Sequence, residues 1–279
     1  MAKLLNGKEL AKIIYTEIKD ESDFLKARNT VPTLGIIRVG NKEDDIAYER
    51  GILRNCEKVG IKCIVTELED NISFENFVKA LNVLNNDSKI HGILIFRPLP
   101  KHLSENKVKH LISPEKDIDC MNPLNLAKVF EGDLTGFAPC TPKAVMEMIK
   151  RYKIDLVGKK TVVIGRSMVV GKPLAMLLLK ENATITICHS KTTNLSEVSK
   201  DADVLVAAIG KAKFVTEEFV KPGAIVIDVG INIDDEGKLC GDVDFEYVSK
   251  IASFITPVPG GVGSVTTAVL LNHVIKAAK

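Results

Sequence analysis

The chain has 279 residues, 46% hydrophobic and 27% charged, with a formal net charge of +2. That length suits two domains or one large one, and the balance suits a globular protein with a real core. Near-neutral charge without like-charge blocks leaves no basic field for nucleic acid, and no apolar run approaches the ~20 residues of a membrane helix.

The start, MAKLLNGKELAKII, interleaves charges with apolar residues. It predicts an amphipathic helix rather than a signal peptide, and with it a cytoplasmic location. Cys56, Cys63, Cys120, Cys140, Cys188 and Cys240 are scattered with no CxxC pair. They are expected to be reduced thiols, forming neither a disulfide framework nor a metal site.

In chain order, residues 7–28 predict a helix, ended by Pro32 before the strand TLGIIRV. A helix over 43–59, the strand IKCIVTEL, a helix over 73–85 and the strand HGILIF follow. The segment RPLPKHL holds two prolines and must be a rigid loop. PEKDIDCMNP predicts loop and NLAKVFEG a short helix. A second series then begins: helix 142–151, strand TVVIG, helix 171–180, strand TITICH, helix 194–200, and strands VLVAAIG, AIVIDVG and SFITPV. PGGVGSV leads into a last helix reaching residue 279. Apolar runs separated by helices imply βαβ units, hence an α/β fold of two halves with parallel sheets, divided near 120–142.

In TVVIGRSMVVGKPL a buried strand ends at Gly165 and a helix begins near Gly171. Glycines there let the backbone approach a pyrophosphate, and the helix N-terminus offers N–H groups and a positive dipole end. The spacing is not G-x-G-x-x-G, so alone it fits an unliganded strand-to-helix turn as well. The next strand ends in His189, Ser190 and Lys191, without the carboxylate that binds the ribose hydroxyl of NAD. Arg166, Lys191 and Ser190 could instead face a 2′-phosphate, which favours NADP, although Lys191 could also be an ordinary solvated lysine. IDVGIN and TPVPGGVG also end apolar runs, where open α/β sheets bind ligands.

PEKDID (114–119), PCTP (139–142), GRSMVVGKP (165–173), CHSKT (188–192), IDVGIN (227–232), GDVDF (241–245) and TPVPGGVG (256–263) together resemble the bifunctional methylenetetrahydrofolate dehydrogenase/methenyltetrahydrofolate cyclohydrolase family in order and spacing. The resemblance implies a folate-side catalytic domain, residues 1–122 plus 262–279, and a Rossmann-like NADP-binding domain, 123–261, with the substrate cleft between them. It implies NADP-dependent oxidation of methylenetetrahydrofolate, tetrahydrofolate derivatives as partners, a homodimer joined through the NADP domains, and a place in one-carbon metabolism and purine biosynthesis. It places the cofactor on Gly165, Arg166, Ser167, Ser190 and Ile231, and the folate on Tyr48, Pro98, Asp119, Pro259 and Gly260. The family's pterin-binding aspartate falls on Asp119, which the residues alone do not separate from Asp117. Tyr48 would stack on or orient the folate, although by its own pattern it could be a core aromatic.

Two departures bear on the chemistry. The family's Tyr-x-x-x-Lys places both side chains on one helix face, but here Tyr48 is followed by Ile52 at the lysine position. The family's strand end Val-Gln-Leu-Pro-Leu-Pro reads Ile95-Phe96-Arg97-Pro98-Leu99-Pro100, so the supporting glutamine is Phe96. Cys120 and Met121 stand where the family has Gly-Phe, and Ser264 replaces a proline. Hydride removal from a carbon between two nitrogens needs alignment but no base. Adding water needs proton transfer, for which a lysine suits and a permanently protonated Arg97 does not. The expectation is a retained dehydrogenase with weak or absent cyclohydrolase. The rivals are a non-catalytic folate- or NADP-binding paralogue and a Rossmann dehydrogenase for another small substrate.

Overall fold

The structure, a computed structural model, describes residues 1–279. Along the chain run β1 (Lys3–Leu4), α1 (Gly7–Lys26), β2 (Thr33–Val39), α2 (Glu43–Val59), β3 (Lys62–Leu68), α3 (Phe74–Asn86) and β4 (Gly92–Ile95). Next come α4 (Glu105–Val108), α5 (Pro123–Glu131), α6 (Cys140–Arg151), β5 (Lys160–Ile164), α7 (Gly171–Lys180), β6 (Thr184–Cys188), α8 (Leu195–Lys200) and β7 (Val204–Ala207). The chain ends with β8 (Ile225–Asp228), β9 (Asn232–Ile233), β10 (Leu239–Cys240), α9 (Phe245–Ile251), β11 (Phe254–Ile255) and α10 (Val262–Ala277).

The chain forms two compact units, one of residues 1–12 and 139–266, the other of 13–138 and 267–279. The sequence put its divisions at 122/123 and 261/262. Residues 123–138 remain with the second unit because Asn125 Nδ2 donates to the Pro114 carbonyl (2.8 Å) and Asp117 (3.0 Å), while Phe137 N donates to Asn125 Oδ1 (3.3 Å). Residues 1–12 go with the first because β1 pairs in parallel with β11, Lys3 opposite Phe254. That strand lies where the sequence predicted only helix; two residues are too short to show a pattern.

The second unit carries a three-stranded parallel sheet in the order β3-β2-β4. Every β2 residue is buried, as expected of a central parallel strand covered on both faces. Ile37, Phe77, Leu81, Ile93, Ile95 and Val108 lie in its core. Glu43, Asp44 and Asp45 fill the first turn of α2, complementing its dipole, and Gly60 closes it at φ 73°. Arg38 is 3% exposed and holds α2 to the sheet. Its Nε donates to Glu49 Oε2 at 2.8 Å, its Nη2 pairs with Glu67 at 3.0 Å, and its Nη1 donates to Asn41 Oδ1 (2.8 Å) and the Gly40 carbonyl.

The first unit carries a six-stranded parallel sheet in the order β1-β11-β8-β7-β5-β6. Successive strands go first to one side of β5 and then to the other. This makes the carboxyl ends of β5 and β7 a topological switch point, where open sheets of this kind bind ligands. The small antiparallel pair β9–β10, the helices α4 and α9 and a 3-10 turn at Glu217–Phe219 are too short or too polar to have shown in the sequence. No helix is long and apolar enough to cross a membrane.

Candidate active site

In the six-stranded unit, the loop after β5 is shaped by close approaches that only glycine permits. Gly165 has φ 134°, and a Cβ there would collide with the carbonyl oxygen of Ala208 at the end of β7. A Cβ at Gly171, the first residue of α7, would collide with the carbonyl oxygen of Gly165. The helix N-terminus is thus pressed onto the switch point. Ser167 Oγ accepts from Val170 N at 3.1 Å, and Ser167 O accepts from Lys172 N at 3.1 Å, which shapes the loop between them. Arg166 and Ser167 are exposed.

Ile164 pairs with Cys188, so the end of β6 lies beside this loop, and Gly165 N donates to the Cys188 carbonyl at 2.9 Å. The turn after β6 is pinned by His189 N donating to Thr192 Oγ1 (2.9 Å) and by Lys191 N donating to His189 Nδ1 (3.2 Å). Ser190 and Lys191 are exposed on that turn, with no carboxylate among 188–192. Arg166, Ser190 and Lys191 therefore stand on adjacent strand ends.

Two buried carboxylates build the neighbouring loops. Asp242 accepts from the backbone N–H groups of Ile209 (2.7 Å), Gly210 (3.1 Å) and Lys211 (2.8 Å), and from Asn232 Nδ2 (3.0 Å). Asp228 accepts from Gly230 N (2.9 Å), Asp242 N (3.0 Å) and Val243 N (2.9 Å), and burial pushes its carboxyl up to about 7 despite those bonds. They hold the loop of Ile231, which is 65% exposed. Sequence reasoning assigned these carboxylates no role. Their GDVDF and IDVGIN settings were visible, but not the bonds joining them. Pro259 and Gly260 also lie in this unit, in a loop with a cis Val258–Pro259 bond and Gly260 at φ 106°. Lys8 N donates to the Gly260 carbonyl at 3.2 Å.

In the three-stranded unit, Tyr48 and Ile52 lie one turn apart on α2, and Phe96 directly follows β4. The Tyr48 and Phe96 rings have centroids 5.5 Å apart, tilted by 40°. Tyr48 is 45% exposed, Phe96 6%, and Ile52 is fully buried. The position of the family lysine is thus filled by an aliphatic side chain sealed from water.

The PEKDID segment runs beside β4 through a parallel bridge of Ile93 with Asp117, and Ile93 N donates to the Lys116 carbonyl at 2.7 Å. The two aspartates separate cleanly. Asp117 is buried and serves the loop, accepting from Met121 N (2.8 Å), Asn122 N (2.7 Å) and Asn125 Nδ2 (3.0 Å). Asp119 keeps 27% of its side chain exposed, and its Oδ2 accepts from Arg97 Nη2 at 2.9 Å. Cys120 sits at φ 57°, the conformation that favours the glycine the family has there. Burial pushes its thiol well above the ordinary range, so it keeps its proton. His273, on α10, contacts the Ile118 carbonyl through Nδ1 at 2.8 Å and steadies the same loop. The Arg97–Pro98 bond is cis, Pro98 is exposed, and Leu99 N donates to Glu105 Oε1 at 2.9 Å. Sequence reasoning missed the Arg97–Asp119 pair, the His273 contact and the Arg38 network, because each joins residues distant in the chain.

Residues 5–119 match the model of the tetrahydrofolate dehydrogenase/cyclohydrolase catalytic domain, and residues 139–279 that of the family's NAD(P)-binding domain. The bifunctional protein FolD of Clostridium botulinum (strain Langeland) is 56% identical over 279 residues, covering 100% of this chain and 99% of that protein. The crystal structure of the bifunctional FolD dehydrogenase/cyclohydrolase from Campylobacter jejuni superposes with a TM-score of 0.98 at 42% identity, covering 100% and 99% of the two chains. The Trypanosoma brucei FolD, solved with NADP cofactor and an inhibitor, gives a TM-score of 0.93 at 34% identity, covering 99% and 97%. With both domain models matched in order and the glycine cradle and paired Asp119 in place, the chain belongs to the tetrahydrofolate dehydrogenase/cyclohydrolase family.

Proposed function

We propose that the protein oxidises methylenetetrahydrofolate to methenyltetrahydrofolate with NADP as the hydride acceptor. The observation that carries this reading is the cradle at the ends of β5 and β6. Gly165 and Gly171 let the N-terminus of α7 pack closely against the ends of β5 and β7, where its N–H groups can meet a pyrophosphate, and Arg166, Ser190 and Lys191 offer donors but no carboxylate to a 2′-phosphate. NADP, when bound, supplies the acceptor for the hydride. The chain's own work is then to bind and align. Gly165, Arg166, Ser167, Ser190 and Ile231 hold the cofactor. Asp119 accepts from the pterin's amino and ring N–H groups, Tyr48 orients its face, and Pro98 contributes a folate contact. Asp117 positions Asp119 and is not itself the ligand.

The same geometry supports loss of the cyclohydrolase step. Ile52 and Phe96 carry no exchangeable proton, Arg97 is permanently protonated, and Cys120 holds its proton. None of these four can take the place of the family lysine as a proton shuttle. We also infer a cytoplasmic homodimer serving one-carbon metabolism, purine synthesis included. Exposed Ile233 and Leu239, paired across β9–β10, support the dimer, and light scattering would detect a mass twice that of the chain. The reading is tested by following nicotinamide reduction with methylenetetrahydrofolate and either NADP or NAD. NADP should be favoured by at least about tenfold in kcat/KM, as expected if one charge-assisted contact to the 2′-phosphate is at stake. Failure to reduce either nucleotide would favour the non-catalytic paralogue instead.

A further inference from the structure

Arg97 stands where the family motif has leucine, and the substitution changes what the folate site can read. Its Nη2 donates to Asp119 Oδ2 at 2.9 Å, and its side chain is 24% exposed. A guanidinium has five N–H donors in a fixed plane, and this one makes no hydrogen bond within the protein besides that to Asp119. Phe96 and Pro98 flank Arg97 in the chain, and the Phe96 ring lies against Tyr48. The result is an acceptor edge, the Asp119 carboxylate, directly beside a donor edge, the Arg97 fork.

A folate ring has the complementary row on one side: an amino group, a ring N–H, then a carbonyl oxygen. We propose that Arg97 is a specificity-determining residue that donates to this ring carbonyl while Asp119 accepts from the amino group and ring N–H. The inference rests on the folate reading given above and extends it. A carboxylate has lone pairs enough to accept from Arg97 and from the ring together. A leucine would leave the carbonyl unread. In a diamino analogue an amino group replaces that carbonyl and the neighbouring ring N–H becomes a bare nitrogen, so the Arg97 donors would face a donor and Asp119 would lose one of its two. The site would lose a hydrogen bond and gain a repulsion, which is how binding sites reject near-identical ligands.

The test is isothermal titration calorimetry on the full chain with NADP present, using tetrahydrofolate and the diamino tetrahydrofolate analogue as probes. The wild type should prefer the oxo ring by about tenfold or more, the worth of one hydrogen bond to a charged group. Arg97→Leu should lose about tenfold in affinity for the oxo ring and under about threefold for the diamino ring, narrowing the preference by at least about threefold and leaving the part that Asp119 supplies. Arg97→Lys, which keeps a charged donor without the fork, should retain part of it. In turnover, Arg97→Leu should raise KM for methylenetetrahydrofolate with kcat within about threefold, as for an interaction shared by ground and transition states. An oxo-to-diamino ratio unchanged in both variants, whether the two affinities stay put or fall together, overturns the proposal. If the wild type turns over methylenetetrahydrofolate yet shows that insensitivity, only the role of Arg97 falls. If the wild type neither binds tetrahydrofolate nor reduces NADP, the folate reading falls with it.

Discussion

At the scale of single residues, environment separates side chains that the sequence left equivalent. Asp117 and Asp119 are two residues apart, yet one is consumed by three donors of its own loop and the other is presented beside Arg97. Asp117→Asn replaces one acceptor oxygen by a donor facing N–H groups and should cost about 1–3 kcal/mol, readable in a denaturant melt. Ile52 makes the sharper case. A lysine alone there would enter a fully buried position, so Ile52→Lys should destabilise the protein by a few kcal/mol. Adding Phe96→Gln supplies an amide partner. The double variant should regain part of that loss and raise enzyme-dependent methenyl hydrolysis by about a hundredfold, the lower range for a general acid–base group. A double variant that folds but hydrolyses no faster than the wild type would mean that the missing lysine is not the cause.

At the scale of elements, α2 and the nucleotide loop are held by different physics. Arg38 is sealed against Glu49, so Arg38→Met leaves an unpaired buried carboxylate and should cost about 3–5 kcal/mol, measured by urea unfolding. Gly51 lies inside α2 with nothing within 4 Å of an added Cβ. Gly51→Ala should therefore stabilise the helix by about 0.5–1 kcal/mol. Gly171 is the opposite case: its Cβ would strike the Gly165 carbonyl, so Gly171→Ala should push α7 off the switch point. NADP affinity should fall at least about tenfold, as it would if a single phosphate contact were lost. The Asp228 loop carries a pH signature. Burial raises its folded-state value to about 7 from an ordinary 3.8, with Asp242 adding to the rise. The folded state thus favours the protonated carboxyl, a contribution fully present below the ordinary value and lost as pH rises through 7. The melting temperature should fall from pH 5 to pH 8 by a component that Asp228→Asn removes; an identical slope in both proteins would exclude Asp228 as its source.

At the scale of the molecule, the fold was largely legible because its longer elements follow strong patterns. TVVIG is a short apolar run and TLGIIRV is one broken only by Arg38, and helices over 43–59 and 171–180 stand where charge and apolar spacing put them. What stayed hidden was pairing between distant segments: β1 against β11, Arg38 across β2, α2 and β3, and His273 on the carbonyl before Asp119. No local period encodes such contacts, since each depends on where the finished sheets carry their ends. Of the candidate site, the sequence singled out Gly165, Gly171, Tyr48 and Asp119 through local motifs, but not the Arg97–Asp119 pair that gives Asp119 its setting. The central claim concerns the molecule's chemistry: its residues serve alignment for hydride transfer and supply no proton carrier for adding water. One progress curve tests it most directly, with methylenetetrahydrofolate and NADP mixed with enzyme and the methenyl product followed by its absorbance. The account predicts that methenyltetrahydrofolate accumulates in step with NADPH and then decays at the rate of the buffer alone, whatever the enzyme concentration. Decay that accelerates in proportion to added enzyme would contradict it.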